Sequence, residues 1–207
     1  LAVKPQVLAQ VCLQLQPAVQ QKQPLIISIA AGIRSTDIER WLGGNLPVVR
    51  TMPNTPSLIQ AGATGLYANS NTSTEQKTIA EQILKAAGLT LWVEKEDLLD
   101  AVTALSGSGP AYYFLIMQAM QRAGEKLGLD AHSADQLARQ TALGAARMAT
   151  EGEDNPATLR AKVTSKGGTT AAAIASFEAS QLDEIILRAL TAARERATEL
   201  ADELGQQ

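Results

Sequence analysis

The segment VTSKGGTTAAAIASF, residues 163–177, has the composition of a site that could hold an anion. Gly167 and Gly168 permit turns with positive φ, and the pattern predicts that a helix begins at Thr169 or Thr170. The first amide groups of a helix lack intrahelical partners, and together with the helix dipole they favour a carboxylate. A glycine that ends one helix before a threonine that caps the next would give the same pattern. Taken alone, the residues favour this structural alternative.

Three other short segments close strand-like apolar runs: AVKP at 2–5, SIAAG at 28–32 and MPNTP at 52–56. Lys4 could contact a phosphate or ribose, or simply be solvated. The small residues of SIAAG would let a flat ring approach the backbone. Asn54, between two prolines, offers a rigid turn with an amide that can point at a ligand. Each segment alone is an ordinary transition from a strand to a loop. Three such segments in succession predict a ligand site at the carboxyl edge of a sheet.

Gly107 and Gly109 in SGSGPAYYF look like part of a glycine-rich dinucleotide loop, but the match is poor. Tyr112 stands where the third glycine would be, and the segment follows a predicted helix rather than a strand. We interpret the glycines as structural. They would relax a long helix and let another element approach it, and Pro110 would restart the helix.

Composition excludes several classes of function. The 207 residues carry a net charge of −3 and only 3% aromatic residues, which argues against nucleic acid as a partner. The chain has one cysteine, Cys12, and one histidine, His132, so a metal site built from such ligands is nearly excluded. The single cysteine fits a reducing cytoplasmic location. No apolar run reaches the ~18 residues that a membrane span needs.

These candidate residues must be positioned by two kinds of structure. Residues 1–94 alternate strand and helix patterns, which predicts a parallel or mixed sheet covered by helices. The predicted strands are 1–3, 25–32, 48–52, 63–69 and 90–94. The predicted helices begin at Pro5, with Val7, Leu8, Val11 and Leu15 on one face, at a Thr36/Glu39 capping box and at a Ser73/Gln76 capping box.

Residues 95–207 show helical periodicity and no convincing strand. A capping box at Ser133 and Gln136 predicts one helix start, and Asn155 with Pro156 predicts another. We therefore predict two domains: a partial Rossmann dinucleotide-binding domain at 1–94, and an all-helical dimerisation and substrate-binding domain at 95–207. The fold class is α/β plus all-α.

The 163–177 segment also carries a resemblance. Residues 154–178, DNPATLRAKVTSKGGTTAAAIASFE, resemble the signature of pyrroline-5-carboxylate reductases. Further matches follow in order along the chain: LAVKPQ, SIAAGI, RTMPNTP, EDLLDAVTALSGSGPAY and EGEDNP. The resemblance covers essentially the whole sequence, and its long C-terminal part is specific.

The resemblance implies an N-terminal Rossmann domain and a helical domain that interlocks two subunits, often within rings of dimers. It implies reduction of the imine of 1-pyrroline-5-carboxylate to L-proline with NADPH or NADH. By resemblance, the cofactor-binding residues are Val3, Lys4, Ala30, Met52 and Asn54. The substrate-binding residues are Glu96, Ser165, Gly168, Thr169 and Thr170, and the catalytic Thr170 bonds the ring nitrogen at the subunit interface. Lys162 and Glu153 match positions that lie near the substrate or support its loop.

The sequence departs from the family pattern at its start. LAVKPQ opens inside an apparent strand, and no glycine-rich pyrophosphate loop precedes it, so we expect weak or no cofactor binding from this polypeptide alone. Two alternatives remain open. One is a β-hydroxyacid-type dehydrogenase, in which Lys126 would be the candidate catalytic lysine without that family's motif. The other is an inactive, truncated dimerisation module.

Overall fold

The computed structural model describes residues 1–206, which form a four-stranded sheet with helices followed by a helical region. The strands are β1 (Ile26–Ser28), β2 (Val48–Met52), β3 (Gly62–Ala68) and β4 (Gly88–Trp92). The helices are α1 (Pro5–Lys22), α2 (Ser35–Trp41), α3 (Thr74–Lys85), α4 (Leu98–Val102), α5 (Gly109–Lys126), α6 (Ala131–Glu151), α7 (Pro156–Lys162), α8 (Thr169–Ala179) and α9 (Leu182–Gly205). A 3₁₀ turn spans Thr55–Ile59, and a π turn spans Thr103–Gly107.

The chain forms two compact units. The first unit comprises residues 1–110 together with the chain from residue 189 onward, and the second unit comprises residues 111–188. All four strands belong to the first unit. The predicted change from alternating to all-helical structure near residue 94 is confirmed, since β4 is the last strand of the described chain. The assignment of separate functions to 1–94 and 95–207 stays a prediction.

The sheet is mixed, with strand order β1-β2-β3-β4. β1 and β2 run parallel, β2 and β3 antiparallel, and β3 and β4 parallel. The predicted strand at 1–3 is reduced to a single pairing residue. The Leu1 amino group donates to the Ile27 carbonyl at 2.6 Å, and the Ile29 amide donates to the Leu1 carbonyl at 3.1 Å. This two-sided pattern places Leu1 parallel to β1.

The sheet is covered on both faces at β1 and β2, whereas Leu89 and Leu91 on β4 are exposed. One core contains buried residues of α1, α2 and the first two strands, among them Leu8, Cys12, Ile38, Leu42 and Val48. The other contains Val49, Leu66 and Ala80, with Trp92 partly buried against them. Burial on both faces accounts for the continuous apolar run at 25–32, although only 26–28 forms a strand.

The predicted apolar face of α1 is half right, since Leu8 is buried and Val11 is partly buried. The helix buries Leu8, Ala9, Cys12 and Val19, whereas Val7 and Leu15 are exposed. The predicted and the observed buried faces both have helical spacing. The observed face includes the small residues Ala9 and Cys12, which contribute little to an apolar sequence pattern. Burial raises the pKa of the Cys12 thiol, and the nearby N-terminal amino group opposes this effect.

Two predicted helix caps are wrong and two are confirmed. α2 begins after Arg34 without a local side-chain cap, so Thr36 and Glu39 form no capping box. α6 is capped by Asp130, whose carboxylate accepts from the Ser133 amide at 3.0 Å. The helix therefore begins three residues earlier than predicted, so Ser133 lies inside the first turn and cannot be the N-cap. The predicted Ser73/Gln76 box and the Asn155 cap are both present.

Among the described residues, no helix is both long enough and apolar enough to cross a membrane.

Candidate functional site

The predicted cofactor residues lie at one edge of the sheet in the first unit. Ala30 is buried two residues after β1, and Met52 is the last residue of β2. Because β1 and β2 are parallel, both strands end at this edge. Leu1 runs parallel beside β1, so Val3 and Lys4 emerge at the same edge, where both are exposed. The structure therefore brings these predicted residues together.

Asn54 lies at this edge, but its amide is bonded within the chain at both ends. Its Nδ2 donates to the Ser106 carbonyl at 3.0 Å, and its Oδ1 accepts from the Ala63 amide at 2.9 Å. The two bonds fix the orientation of the amide group, since one partner is an acceptor and the other a donor. The rigid turn that the sequence predicts is present, but its amide joins backbone segments rather than pointing at open space.

Glu96, predicted to bind substrate, lies in the first unit and accepts three hydrogen bonds there. Its Oε1 accepts from the Ser35 amide at 2.5 Å and from Arg50 Nη1 at 2.7 Å, and its Oε2 accepts from the Ser35 hydroxyl at 2.8 Å. The carboxylate thus caps the start of α2 from a distant part of the chain, where a negative charge is favourable. This remote cap explains why α2 needs no local capping box.

Arg50 is buried in the middle of β2, with only 5% of its surface exposed. Burial lowers the pKa of its guanidinium, and the adjacent Glu96 carboxylate opposes that shift. Tyr67 is its cross-strand neighbour on β3, and burial together with the Glu96 charge raises the pKa of that phenol. A buried charge needs a close partner, so Arg50 and Glu96 depend on each other for stability.

A second charged pair continues this network toward α9. Arg34 bonds both carboxylate oxygens of Asp100, at 3.1 Å and 2.6 Å, and the Thr198 hydroxyl donates to Asp100 at 3.1 Å. Burial alone would lower the pKa of Arg34, but its bonds to Asp100 outweigh that effect and raise it. The sequence analysis did not identify Arg34, Asp100 or Arg50. For Arg50 a signal was available, because an arginine within the apolar run PVVRTMP requires a buried partner.

The π turn at Thr103–Gly107 lies against the end of β2. The Ser108 amide donates to the Thr103 carbonyl at 2.8 Å, five residues back. A Cβ added to Gly107 would lie 2.5 Å from Met52 Cε, the flexible end of that side chain, so a larger residue would displace the methionine tip. The close approach of the π turn to Met52 agrees with the structural interpretation of Gly107. A Cβ on Gly109 would meet nothing within 4 Å, so the absence of a side chain there is not required for packing.

The 163–170 segment lies in the second unit, between α7 and α8. The Gly168 amide donates to the Ser165 carbonyl at 3.0 Å, which closes a tight turn, and Gly167 adopts φ +74°. Gly168 is extended and precedes the first residue of α8, Thr169. The glycine therefore occupies the N-cap position, where it supplies no side chain to satisfy the first amides of the helix.

Of the four hydroxyl groups in residues 163–170, that of Thr164 bonds within the chain, donating to the Arg160 carbonyl at 2.6 Å. Within residues 1–206, the hydroxyls of Ser165, Thr169 and Thr170 make no hydrogen bond. Thr170 is half-buried, whereas Ser165 and Thr169 are exposed. The structure therefore brings Ser165, Gly168, Thr169 and Thr170 together at a helix start with free hydroxyls.

Two neighbouring residues that match the family's loop supports differ in their contacts. Lys162 Nζ pairs with Asp154 Oδ2 at 2.5 Å, which links the end of α7 to the residues before it. Glu153 is exposed, and the acidic contact of Lys162 is made by Asp154 instead. Lys126, the candidate lysine of the alternative dehydrogenase, is an exposed residue at the end of α5.

A sheet edge where strands end beside small residues and Lys4 is typical of a dinucleotide-binding oxidoreductase, and the relatives of the chain show this class. Residues 96–200 match the model of the pyrroline-5-carboxylate reductase dimerisation region. A pyrroline-5-carboxylate reductase of Pseudomonas aeruginosa is 55% identical over 206 residues, covering all of this chain and 75% of that protein. The enzyme of that name from Haemophilus influenzae is 47% identical over 204 residues, covering 97% of this chain and 74% of that protein.

Solved structures agree with the sequence relatives. A pyrroline-5-carboxylate reductase from Coxiella burnetii superposes with a TM-score of 0.93 at 50% identity, covering 97% of this chain and 74% of that one. A pyrroline carboxylate reductase of Plasmodium falciparum, crystallised with NADP bound, has a TM-score of 0.85 at 30% identity and covers 97% of this chain and 79% of that one. The chain belongs to the pyrroline-5-carboxylate reductase family.

Proposed function

We propose that this chain reduces the carbon–nitrogen double bond of 1-pyrroline-5-carboxylate with hydride from NADPH or NADH, giving L-proline. Similarity to a reductase of that name over the whole chain, at 55% identity, carries the proposal. The 163–170 loop supports it, because it offers an anion-binding helix start and free hydroxyls to a small substrate that bears both a carboxylate and a ring nitrogen.

The substrate side is assigned to the start of α8. The backbone amides of Thr169 and Thr170 would bind the carboxylate, as the first amides of a helix do for anions. The Thr170 hydroxyl would bond the ring nitrogen, and Ser165 would line the same loop. Gly168 lets the loop close tightly before these amides, because a Cβ there would lie 2.5 Å from the Ser165 hydroxyl oxygen. Glu96 is bonded to Ser35 and Arg50, so its contribution would be to support the site rather than to touch substrate.

The cofactor side is assigned to the edge where β1 and β2 end. Ala30 presents a small side chain there, which leaves room for a flat nicotinamide ring beside the backbone. Lys4 is exposed and would be available to a phosphate or a ribose hydroxyl, and Val3 and Met52 would flank the ring. These residues fit the nicotinamide end of a dinucleotide. NADP is the favoured form, because the Plasmodium falciparum relative was crystallised with it.

The cofactor supplies the hydride, and the chain's residues supply position and electrostatics. A protonated imine accepts hydride far better than a neutral one, so the site must tolerate a positive ring nitrogen. The one histidine, His132, lies near the start of α6 and outside the 163–170 loop. The Thr170 hydroxyl accepts from the protonated nitrogen, while the α8 amides hold the carboxylate. Most of the acceleration then comes from orientation and from preorganised dipoles.

A homodimer is part of the proposal. Residues 96–200 match a dimerisation model, and helices of the second unit expose large apolar side chains, including Tyr113, Phe114, Leu137 and Leu143. Such side chains are costly to leave in water and are typical of an interface. A further ring of dimers and a cytoplasmic location stay predictions from the family resemblance and from the single cysteine.

The direct test is a spectrophotometric assay. The purified chain is mixed with 1-pyrroline-5-carboxylate and either NADPH or NADH, and loss of absorbance at the reduced nicotinamide band is followed. Because cofactor binding by this polypeptide is expected to be weak, the nucleotide is supplied at high concentration. We then expect proline formation, confirmed by mass spectrometry, with no turnover of β-hydroxyacids in the reverse direction. Oxidation of hydroxyacids without imine reduction would favour the alternative dehydrogenase. A tight dimer that neither binds NADPH nor reduces the imine would leave only a dimerisation module.

A further inference from the structure

The carbonyl of Ser106 occupies an unusual position in the π turn. In a continuous helix this carbonyl would accept from the amide four residues ahead, and that residue is Pro110. Proline has no N–H, so the helix cannot supply the bond. The donor comes instead from Asn54 Nδ2, at 3.0 Å, on the turn that follows β2.

The same amide also fixes the start of β3. Asn54 Oδ1 accepts from the Ala63 amide at 2.9 Å, so one side chain joins the turn at 52–56, the first residues of β3 and the π turn. Gly107 brings the π turn against Met52 at the same place. All of these residues lie in the first unit, at the edge assigned above to the nicotinamide.

We infer that Asn54 is a positioning residue: its amide meets the carbonyl left open by Pro110 and thereby fixes the Met52–Asn54 backbone, against which the nicotinamide would lie. The two hydrogen bonds of the Asn54 amide, to Ser106 and Ala63, form a joint between three segments of the chain. The catalytic role of this joint rests on the proposed function, whereas its hydrogen bonds are observed in the chain itself. Misplacement of a reacting group by as little as 1 Å is sufficient to slow catalysis about 100-fold.

Two substitutions of Asn54 test its two hydrogen bonds separately. Asn54→Asp keeps an oxygen for the Ala63 amide but sets a second acceptor against the Ser106 carbonyl, whereas Asn54→Ala removes both bonds. We expect kcat to fall about 10- to 100-fold in both variants, with little change in KM for 1-pyrroline-5-carboxylate, because residues 163–170 are untouched. In hydrogen exchange without ligands, the Ala63 amide should exchange faster in Asn54→Ala and remain protected in Asn54→Asp.

Pro110→Ala provides the decisive control. In the Asn54→Ala background it restores an amide that can bond the Ser106 carbonyl within the helix, so the thermal midpoint should recover. The tie to the turn remains broken, so kcat should stay low. Pro110→Ala alone should retain wild-type kcat. Recovery of kcat in the double variant, or a normal kcat in Asn54→Asp, would overturn the inference.

Failure of the proposed function is distinguishable from failure of this inference. If the unaltered full chain reduces no imine, the proposed function is wrong, and hydrogen exchange with thermal unfolding still decides whether the joint exists. If the unaltered chain is active and the Asn54 variants keep both kcat and Ala63 protection, the proposed function stands and the inference is wrong.

Discussion

In the first unit, polar side chains at and near the sheet edge make hydrogen bonds within the chain. Asn54 joins two backbone segments, Glu96 accepts three hydrogen bonds, and Arg50 is buried against it. In the 163–170 loop of the second unit the opposite holds, because the described chain leaves the hydroxyls of Thr169 and Thr170 without partners. The first region uses its polar groups to build a scaffold, and the second keeps them for a ligand. Substitutions in the two regions should therefore fail in different ways.

The largest effect is expected at the buried ion pair. Arg50→Ala leaves the Glu96 carboxylate half-buried without its cation, which should lower the free energy of unfolding by about 3–5 kcal/mol. Chemical denaturation followed by circular dichroism measures this loss. The matched control is Arg147→Ala, because Arg147 pairs with Glu151 on an exposed helix face and should change the midpoint little. Equal losses in the two variants would contradict the scaffold assignment.

Replacing both members of the buried pair sharpens the same point. An Arg50→Met/Glu96→Gln double variant removes the isolated charge, so it should be more stable than Arg50→Ala alone. Glu96→Gln alone should still lose stability, because Arg50 then lacks its counter-charge. If Glu96→Gln instead left stability unchanged and raised KM for the substrate, Glu96 would be a substrate ligand as the resemblance implies.

The second effect is expected at Thr170 and should appear in catalysis alone. Thr170→Ala removes the hydroxyl assigned to the ring nitrogen, so kcat/KM should fall about 100-fold, the size typical of losing one preorganised polar contact. The thermal midpoint should hardly change, because this hydroxyl makes no bond within the chain. Thr170→Ser keeps the hydroxyl and should retain most activity. An unchanged kcat/KM in Thr170→Ala would remove the residue from the mechanism.

The contrast between the regions also separates what the sequence could predict from what it could not. The mixed sheet, the helical second half and the loop at 163–170 follow from local patterns: apolar runs, caps and paired glycines. The Ser73/Gln76 box was predictable because both partners lie within four residues. The start of α2 was not, because its cap, Glu96, lies 61 residues from Ser35 in sequence.

The site shows the same division. Ser165 to Thr170 are adjacent in sequence, so their spacing predicts an open helix start that could hold an anion. Taken alone it favours a simple joint between two helices, and the substrate role comes from the family resemblance. Asn54 was correctly placed at the sheet edge, but its partners, Ala63 and Ser106, depend on how β3 and the π turn pack. A single residue type cannot indicate whether its amide faces a ligand or the chain, because long-range packing decides this.

A smaller effect is expected from the turn before α8. Gly167 has φ +74° with open space around its Cβ position, so Gly167→Ala tests backbone conformation alone. The left-handed conformation should cost alanine about 1 kcal/mol, visible as a lower thermal midpoint. Gly167→Asn should lose less, since asparagine tolerates this conformation. A parallel rise in KM for the substrate would show that the same turn aligns the amides of Thr169 and Thr170.

The smallest effect is expected at Lys162. This residue forms an ion pair within the chain but is also next to the loop assigned to the substrate. Its ammonium pairs with Asp154 on an exposed surface, where water and salt weaken the attraction. Lys162→Asn should change KM for 1-pyrroline-5-carboxylate by less than about fivefold, the upper range for an exposed pair. The residual effect should disappear at high ionic strength. If KM instead rises more than tenfold and the rise persists at high salt, Lys162 binds the substrate carboxylate directly. The carboxylate would then be held by the Lys162 ammonium together with the helix amides, rather than by the amides alone.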